Sequence, residues 1–468
     1  MATGLKLSEV LAYTRGQWTG RKVSELVFSG VSTDSRTVKP GELFVAVKGK
    51  NFDGSDYVEA ALKAGAWGAV SDRNDFFDRP VIQVRSGLRA LADLARHVRR
   101  SKGFKVLAVT GSVGKTTVKE MVRNILRIRC ELTAPGREVL ATEGNFNNEV
   151  GLPLTILAAV RMKMDPAFAV LEMGASAPGD IQYLTEIARP DVGLMTAVGP
   201  AHMEKFRDMK TLVRTKGELF KTMGAGALAV VSKADALMVE ELGNKSINRL
   251  FYGEGGQVWL KQRLENGLAG QKLIFGGPAV DGLQVDLPLV GEHNAFNAVA
   301  AAAAAVALDC GQFEIKNGLA QMRPVPGRLA PIQAPKGFWI LDDSYNANPA
   351  SVEAGLRFLK SIPGEGLKGA ILGDMLELGP DSQVHHQNLG RLAAELELDF
   401  LALSGSQARH TVFGARAAGG RRLKIESFQT PEEAADWVRE LLGETGWVLV
   451  KGSRAAALER AVIKLQGS

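Results

Sequence analysis

Cysteine is nearly absent: the 468-residue chain holds two, Cys130 and Cys310, far apart in sequence. Such a pair builds neither a disulfide framework nor a cysteine-based zinc site, and it suits a reducing compartment. Long apolar runs are missing too. The longest uncharged one, Asn294–Leu308, is mostly alanine and lies between Glu292 and Asp309. It is too short to cross a bilayer comfortably. Met1–Tyr13 lacks the apolar core of a signal peptide. These absences predict a soluble, cytoplasmic protein with no membrane span. Charge of one sign is scarce as well. Lys and Arg number 57 against 51 Asp and Glu, a net +6. With 6% aromatics and no dense basic block, no nucleic-acid partner is expected. A monomer is expected.

What is present is ordinary globular material. Hydrophobic residues make up 46% and charged residues 23%, which excludes general disorder. At ~100–200 residues per domain the length suggests three domains. Residues 1–102 mix short strand-like runs, such as Leu43–Val47, with turns. They end in a helix, Leu88–Arg100, whose polar tail marks a boundary. From Lys105 strands and helices alternate: Val106–Thr110, Thr116–Ile128, Phe168–Leu171, Ile181–Ala188, Val192–Thr196, Thr211–Met223 and Leu228–Val231. Such alternation predicts β-α-β units on a parallel sheet. Residues 251–290 read as a small antiparallel insertion, and Asn294–Leu308 as an alanine-rich helix. The stretch 323–335 holds four prolines, Pro324, Pro326, Pro331 and Pro335, and forms the second boundary. The alternation then restarts, with strands at Trp339–Leu341, Gly369–Leu372, Phe400–Leu403 and Trp447–Val450. Helices are predicted at Val352–Leu359, Gln387–Leu396, Glu432–Leu442 and Arg454–Leu465. The expectation is an α/β chain of three domains: 1–102, 103–322 and 323–468.

The sharpest local signal is VLAVTGSVGKTTVKE (106–120). An apolar strand runs into Gly111, Ser112, Val113, Gly114, Lys115, Thr116 and Thr117, where a helix begins. Glycines let backbone N–H groups turn toward a polyphosphate. The helix N-terminus adds partial positive charge, and a lysine there reaches the outer phosphates. Thr116 has a hydroxyl suited to Mg²⁺. The strict Walker spacing fails, because Val109 stands where its first glycine belongs. The variant is a shorter G-x-x-G-K-T.

Other residues are ambiguous singly. Glu172 follows a strand end, where α/β sheets bind ligands, yet a solvated loop carboxylate reads the same. His202 in VGPAHMEKF follows another strand, and a lone histidine is more often packed than a ligand. Lys216 lies on a helix, where lysine is usually solvated. Asn147 and Asn148 suit substrate binding or Asx turns. Asn294 and Asn297 stand three apart at a helix start, where Asn294 can also serve as a cap. Asp342 and Asp343 close a strand of the last domain, where a carboxylate could meet a ribose, and Arg328 sits in the second boundary.

Taken in order, TGSVGKTT, EMGAS, GPAHME, KGEL, HNAFNA and PGR resemble the ATP-dependent Mur ligases of peptidoglycan synthesis. STDSRTVKPGELFVAVKGKNFDG resembles the uridine-nucleotide domain of that family. TEGNFNNEVGLPLTIL, DDSYNANPAS and LGDMLELGP are similar to its dipeptide-adding branch. The resemblance covers essentially the whole chain. It implies a uridine-substrate domain, a central phosphate-loop ATPase domain with a parallel sheet, and a closing Rossmann-like domain. The implied reaction uses ATP to turn the terminal carboxylate of UDP-N-acetylmuramoyl-tripeptide into an acyl phosphate, which the amine of D-alanyl-D-alanine attacks. The family's pattern also implies roles. Lys115 and two Mg²⁺ would meet the phosphates, with Thr116, Glu172, His202 and a carbamylated Lys216 as metal ligands or their support. Asn294 and Asn297 would read adenine, Asp343 the ribose, and Arg328 the γ-phosphate. Ser35 and Arg36 would face the uridine diphosphate, Asn147 and Asn148 the muramoyl-peptide, and Asn346 and Asn348 the dipeptide.

Three other readings compete. A single-amino-acid-adding relative that uses diaminopimelate would carry Asn-Pro-Arg in its last domain, and none occurs. A folate-modifying relative would not be expected to carry the DSR segment. A non-catalytic binding protein on the same scaffold is disfavoured by the retained Lys115, Thr116, Glu172 and His202.

Overall fold

A computed structural model describes residues 4–49, 51–199, 203–206, 208–242 and 247–467. Its elements form three α/β domains in chain order.

The first is built on a five-stranded sheet. Its strands lie in the order Gln17–Trp18, Val81–Gln83, Gly68–Ser71, Leu43–Val45 and Val31–Ser32. The last four are mutually parallel, and the first is antiparallel to its neighbour. Helix Gly87–Lys102 is capped by the Ser86 hydroxyl and stops at Gly103, whose φ is 63°. A left-handed C-terminal residue of this kind favours glycine. The apolar face of that helix shares one core with the next domain, where Leu91, Leu94 and Val98 pack with Leu152, Ile156 and Ile187.

The central sheet has six parallel strands. They are ordered Asn248–Tyr252, Leu228–Ser232, Val192–Met195, Lys105–Thr110, Phe168–Glu172 and Val139–Ala141. Phe168–Glu172 and Val192–Met195 flank Lys105–Thr110 with Glu172 opposite Val109 and Met195 opposite Thr110. Their C-terminal ends therefore open side by side. The antiparallel insertion is present but shorter than expected. Asn248–Tyr252 joins the parallel sheet, and only Trp259–Glu265, Gln271–Gly276 and Gln284–Leu287 form the meander. The alanine-rich segment is a buried helix, Glu292–Ala307. Cys130 and Cys310 are free thiols in one core, and burial pushes Cys310 up to about 12.

The last sheet also has six strands. Their order is Ala330–Gln333, Trp339–Asp342, Trp447–Lys451, Lys368–Gly373, Phe400–Ser404 and Lys424–Phe428. All but the first are parallel. The proline-bearing boundary thus contributes a strand. Pro331 is tolerated because this strand lies at the sheet edge, where a missing N–H costs no ladder bond. The expected helix Arg454–Leu465 is broken. A 3-10 turn covers Arg454–Ala456, Ala457 takes φ 50°, and the helix is Glu459–Leu465. The break turns Leu458 fully into the core, beside Gly373 and Gly452.

Among the described residues no helix is long and apolar enough to cross a membrane.

Candidate active site

Three strand ends of the central sheet and one boundary segment meet around Glu172. The phosphate loop leaves strand Lys105–Thr110 and enters helix Lys115–Thr133 through Gly114, which takes φ 85°. Both loop glycines are sterically required. A Cβ on Gly111 (φ 144°) would stand 2.0 Å from Thr196 Oγ1, and one on Gly114 would stand 2.3 Å from Asn297 Oδ1. The N–H groups of Ser112 and Val113 donate to the Ala197 carbonyl at 2.9 and 3.3 Å. The first turn of the helix, Lys115 to Thr117, leaves N–H groups without intrahelical acceptors, which is an anion-binding arrangement. Ser112 Oγ is buried with no hydrogen-bond partner. Lys115 Nζ folds back onto the Gly111 and Ser112 carbonyls at 2.9 and 3.3 Å. Burial lowers its pKa, Glu172 opposes the fall, and Arg328 adds to it.

Glu172 is 3% exposed and joins two loops. Thr116 Oγ1 donates to its Oε2 at 2.9 Å, and Asn147 Nδ2 donates to its Oε1 at 2.9 Å. Arg328 arrives from the last domain, its Nη2 3.4 Å from Thr116 Oγ1. Glycine is needed just before it: Gly327 takes φ 73°, and a Cβ there would stand 2.9 Å from Tyr345 Cβ. Asp342 accepts the Gly327 N–H at 2.9 Å and so holds this segment. The Arg328 guanidinium lies 4.1 Å from the Tyr345 ring centroid.

Lys216 approaches from helix Met209–Thr222, 2% exposed and with no hydrogen bond or ion pair to the described residues. Burial, then the charge of Lys115, brings it down to about 7. His202 lies outside the described residues.

Asn294 and Asn297 are joined: Asn297 Nδ2 donates to Asn294 Oδ1 at 3.1 Å, and Asn294 Nδ2 donates to the Val290 carbonyl at 2.8 Å. Asp343 is paired with Lys451, whose Nζ is 2.6 Å from Asp343 Oδ2 and 3.0 Å from the Asn346 carbonyl. The Lys451 side chain is 2% exposed, and burial lowers its pKa while Asp343 opposes the fall.

Several expected substrate residues have structural work here. Asn348 caps helix Pro349–Ser361, accepting the Ser351 N–H at 2.9 Å. Asn148 accepts the Val150 and Gly151 N–H groups at 3.2 and 2.9 Å. Asn346 Oδ1 accepts the Ala347 N–H at 2.9 Å. Arg36 forms a fork on Asp34, which holds that carboxyl down at about 2. Ser35 and Arg36 lie in the first domain, apart from the Glu172 cluster.

Sequence reasoning missed Lys119, Tyr345 and Lys451, and it weighed Asp342 for the ribose, where the structure has it holding Gly327. Lys119 is 2% exposed; its Nζ donates to the Thr142 carbonyl and pairs with Glu120 at 2.8 Å. Thr142 Oγ1 in turn accepts the Glu172 N–H at 2.9 Å. One signal was available: Lys119 stands one helical turn after Lys115, so both lie on one face. Lys451 is the charged end of an apolar strand, as Glu172 is.

The oxygen donors at Thr116 and Glu172 suit Mg²⁺, which holds few protein ligands and keeps waters and phosphates. Among the described residues no group of three or more His, Cys, Asp or Glu converges on a metal position.

A phosphate loop on a parallel sheet, an acid at the neighbouring strand end and an arginine supplied by a second doubly wound domain define a nucleotide-dependent enzyme that works between domains. Sequence models place it further. "Mur ligase family, catalytic domain" matches residues 27–99, "Mur ligase middle domain" 109–305, and "Mur ligase, glutamate ligase domain" 327–454. The UDP-N-acetylmuramoyl-tripeptide–D-alanyl-D-alanine ligase of Escherichia coli K12 is 33% identical over 465 residues, covering 98% of each chain. The crystal structure of MurF from Acinetobacter baumannii superposes with a TM-score of 0.88 at 31% identity, covering 100% of both chains. MurF from Thermotoga maritima, solved in complex with ADP, gives 0.79 at 32% identity, covering 93% of this chain and 97% of that one. The chain belongs to the Mur ligase family.

Proposed function

We propose that this protein joins D-alanyl-D-alanine to UDP-N-acetylmuramoyl-tripeptide at the expense of ATP, releasing ADP and phosphate. The observation that carries it is the Glu172 carboxylate, which touches Thr116 of the phosphate loop and Asn147 of the 142–148 loop at once. Arg328 of the last domain stands on the same Thr116. One carboxylate thus joins the nucleotide side to the acceptor side. Full-length relatives of the same named activity support the reading.

The chemistry asks two anions to approach, a carboxylate and a triphosphate. Lys115 and the first-turn N–H groups offset that repulsion from the loop, and Arg328 does so from the opposite wall. Thr116 would hold one Mg²⁺, and Glu172 and His202 a second, with Lys216 in support. Bound Mg²⁺ would neutralise charge developing on the phosphates. The resulting acyl phosphate carries a good leaving group. The dipeptide amine adds to its carbonyl carbon, and the tetrahedral adduct expels phosphate. Asn294 and Asn297 would read adenine and Asp343 the ribose, with Lys451 orienting the Asp343 carboxylate.

Lys216 suits carbamylation. At a pKa of about 7 much of it is neutral at physiological pH. A neutral amine adds to the carbon of CO₂ and loses a proton. The cationic tip becomes an anionic oxygen donor suited to Mg²⁺. We assign 1–102 to the uridine nucleotide through Ser35 and Arg36, 103–322 to ATP, and 323–468 to closure and the dipeptide through Asn346 and Asn348. One chain supplies the constellation, which supports a monomer, and a cytoplasmic location suits the nucleotide substrates and the free thiols.

ADP release measured with and without each acceptor tests the reading. Release should require both UDP-N-acetylmuramoyl-tripeptide and D-alanyl-D-alanine; release indifferent to either would overturn it. Lys115→Ala should lower turnover by about 1,000-fold or more, on the scale of losing a charge aimed at the transferred group.

A further inference from the structure

The incoming dipeptide is a zwitterion with two ends, and the bond-forming chemistry uses only its amine. Its terminal carboxylate must be held at the C-terminal rim of the last sheet, within a dipeptide's reach of Arg328. A carboxylate taken out of water needs a cationic partner. Of the described cations that touch Tyr345 or Asp343, Arg328 is committed to Thr116 and Lys451 is buried against Asp343. Arg454 remains. Its side chain is 63% exposed, and its one ion-pair partner is Glu459 at 2.9 Å, itself 39% exposed. Exposed pairs of this kind exchange readily for a better partner.

We propose that Arg454, laid against Tyr345, is the receptor for the terminal carboxylate of the incoming dipeptide; this rests on the ligase reading above. Tyr345 acts as a spacer. Its ring has the Arg328 guanidinium 4.1 Å from its centroid and that of Arg454 at 5.7 Å. An extended dipeptide spans at most about 7 Å. An amine placed on the Arg328 side, at the reacting carbon, therefore brings its carboxylate to Arg454. The base of Arg454 is fixed. The Ser453 N–H donates to the Asp374 carbonyl at 3.1 Å, and Ser453 Oγ accepts the Leu376 N–H at 2.8 Å. A guanidinium lying on an aromatic face can still offer its N–H edge as a fork to a carboxylate. Asn346, exposed beside the ring, is in position to meet the peptide group. The site selects a dipeptide with a free carboxylate and rejects one whose terminus is neutral.

The test compares D-alanyl-D-alanine with its C-terminal amide, in the full enzyme with ATP and UDP-N-acetylmuramoyl-tripeptide. The wild type should prefer the acid by about 10- to 100-fold in kcat/KM, the range of a charge-assisted hydrogen-bonded pair. Arg454→Ala should raise KM for the dipeptide by a similar factor and reduce the preference to near unity. KM for ATP and for the nucleotide should stay within about twofold. Arg454→Lys, which keeps the charge without the fork, should retain part of the preference. A wild type that does not discriminate, an Arg454→Ala variant that discriminates as the wild type does, or equal losses for all three substrates would each overturn the proposal. Failure of the wild type to turn over either dipeptide would instead refute the ligase reading.

Discussion

Lys216 is a buried amine without a partner among the described residues, and it makes stability depend on pH in a definite sense. Below pH 7 it is protonated in both folded and unfolded protein, and its burial is a full penalty. Between about 7 and the ordinary lysine value near 10, the unfolded chain binds a proton that the folded chain does not. Stability from this group therefore rises with pH across that window and levels off above it. In CO₂-free buffer, urea unfolding at pH 7 and about pH 9 should show the wild type gaining ~1–3 kcal/mol more than Lys216→Met. Equal gains would remove the shifted amine. Bicarbonate should raise wild-type turnover and leave Lys216→Ala unchanged.

Caps and anchors decide what happens at the scale of elements. Asn348 closes the first turn of helix Pro349–Ser361. Asn348→Ala should cost about 1 kcal/mol in thermal unfolding. If turnover below the transition is unchanged, Asn348 is a cap and leaves the dipeptide to its neighbours. Lys119 ties the phosphate-loop helix to Thr142, at the base of the loop that carries Asn147. Lys119→Met should raise KM for the uridine nucleotide by about 5- to 50-fold, on the order of one lost charge-assisted bond, with KM for ATP nearly unchanged. Elements of this kind were unevenly legible. The alternation of apolar strands with helices and the loop at 111–117 could be read directly, because each is local in sequence, whereas Glu172 was ambiguous until Thr116 and Asn147 stood beside it. Strand Ala330–Gln333 was hidden by Pro331, whose edge position only the assembled sheet reveals. The break at Ala457 was hidden because helical spacing continues through it while the packing of Leu458 does not. Sequence alone does not separate Lys119 and Lys451 from solvated lysines. Their partners, Thr142 and Asp343, are far away in sequence, and burial is a property of the fold.

Across the whole molecule the two outer domains are attached differently. The first is fixed. Besides the shared core, Arg161 of the central domain pairs with Glu42 at 2.8 Å and donates to the Val31 carbonyl at 2.8 Å, while Glu42 is 3% exposed at its side chain. Arg161→Ala would leave Glu42 buried with the Lys39 N–H as its remaining partner. We expect a loss of about 1–3 kcal/mol by denaturant unfolding, less than for a fully buried pair because Arg161 is half exposed. ATP KM should be unaffected. The last domain reaches the nucleotide side through Arg328 and through the Glu204 N–H, which donates to the Glu377 carbonyl at 3.2 Å. Val290 and Leu268 of the central domain also pack with Leu329 and Leu341 in the core of the last one, so a domain that opens and closes would turn about this packing. Scattering that shows no change in compactness between free and fully liganded enzyme would contradict that motion.

The crowding at Gly111 and Gly114 has a consequence for how this protein can change over generations. At both positions any side chain collides with an oxygen of the chain's own Thr196 or Asn297. Even where the neighbouring side chain can shift, φ of 144° at Gly111 and 85° at Gly114 strains any replacement. A compound that competes for the phosphate loop therefore faces a surface that point substitution at these glycines cannot redraw. Inherited resistance would have to come from the rim, through Arg328 or the adenine side, where side chains still have room to vary.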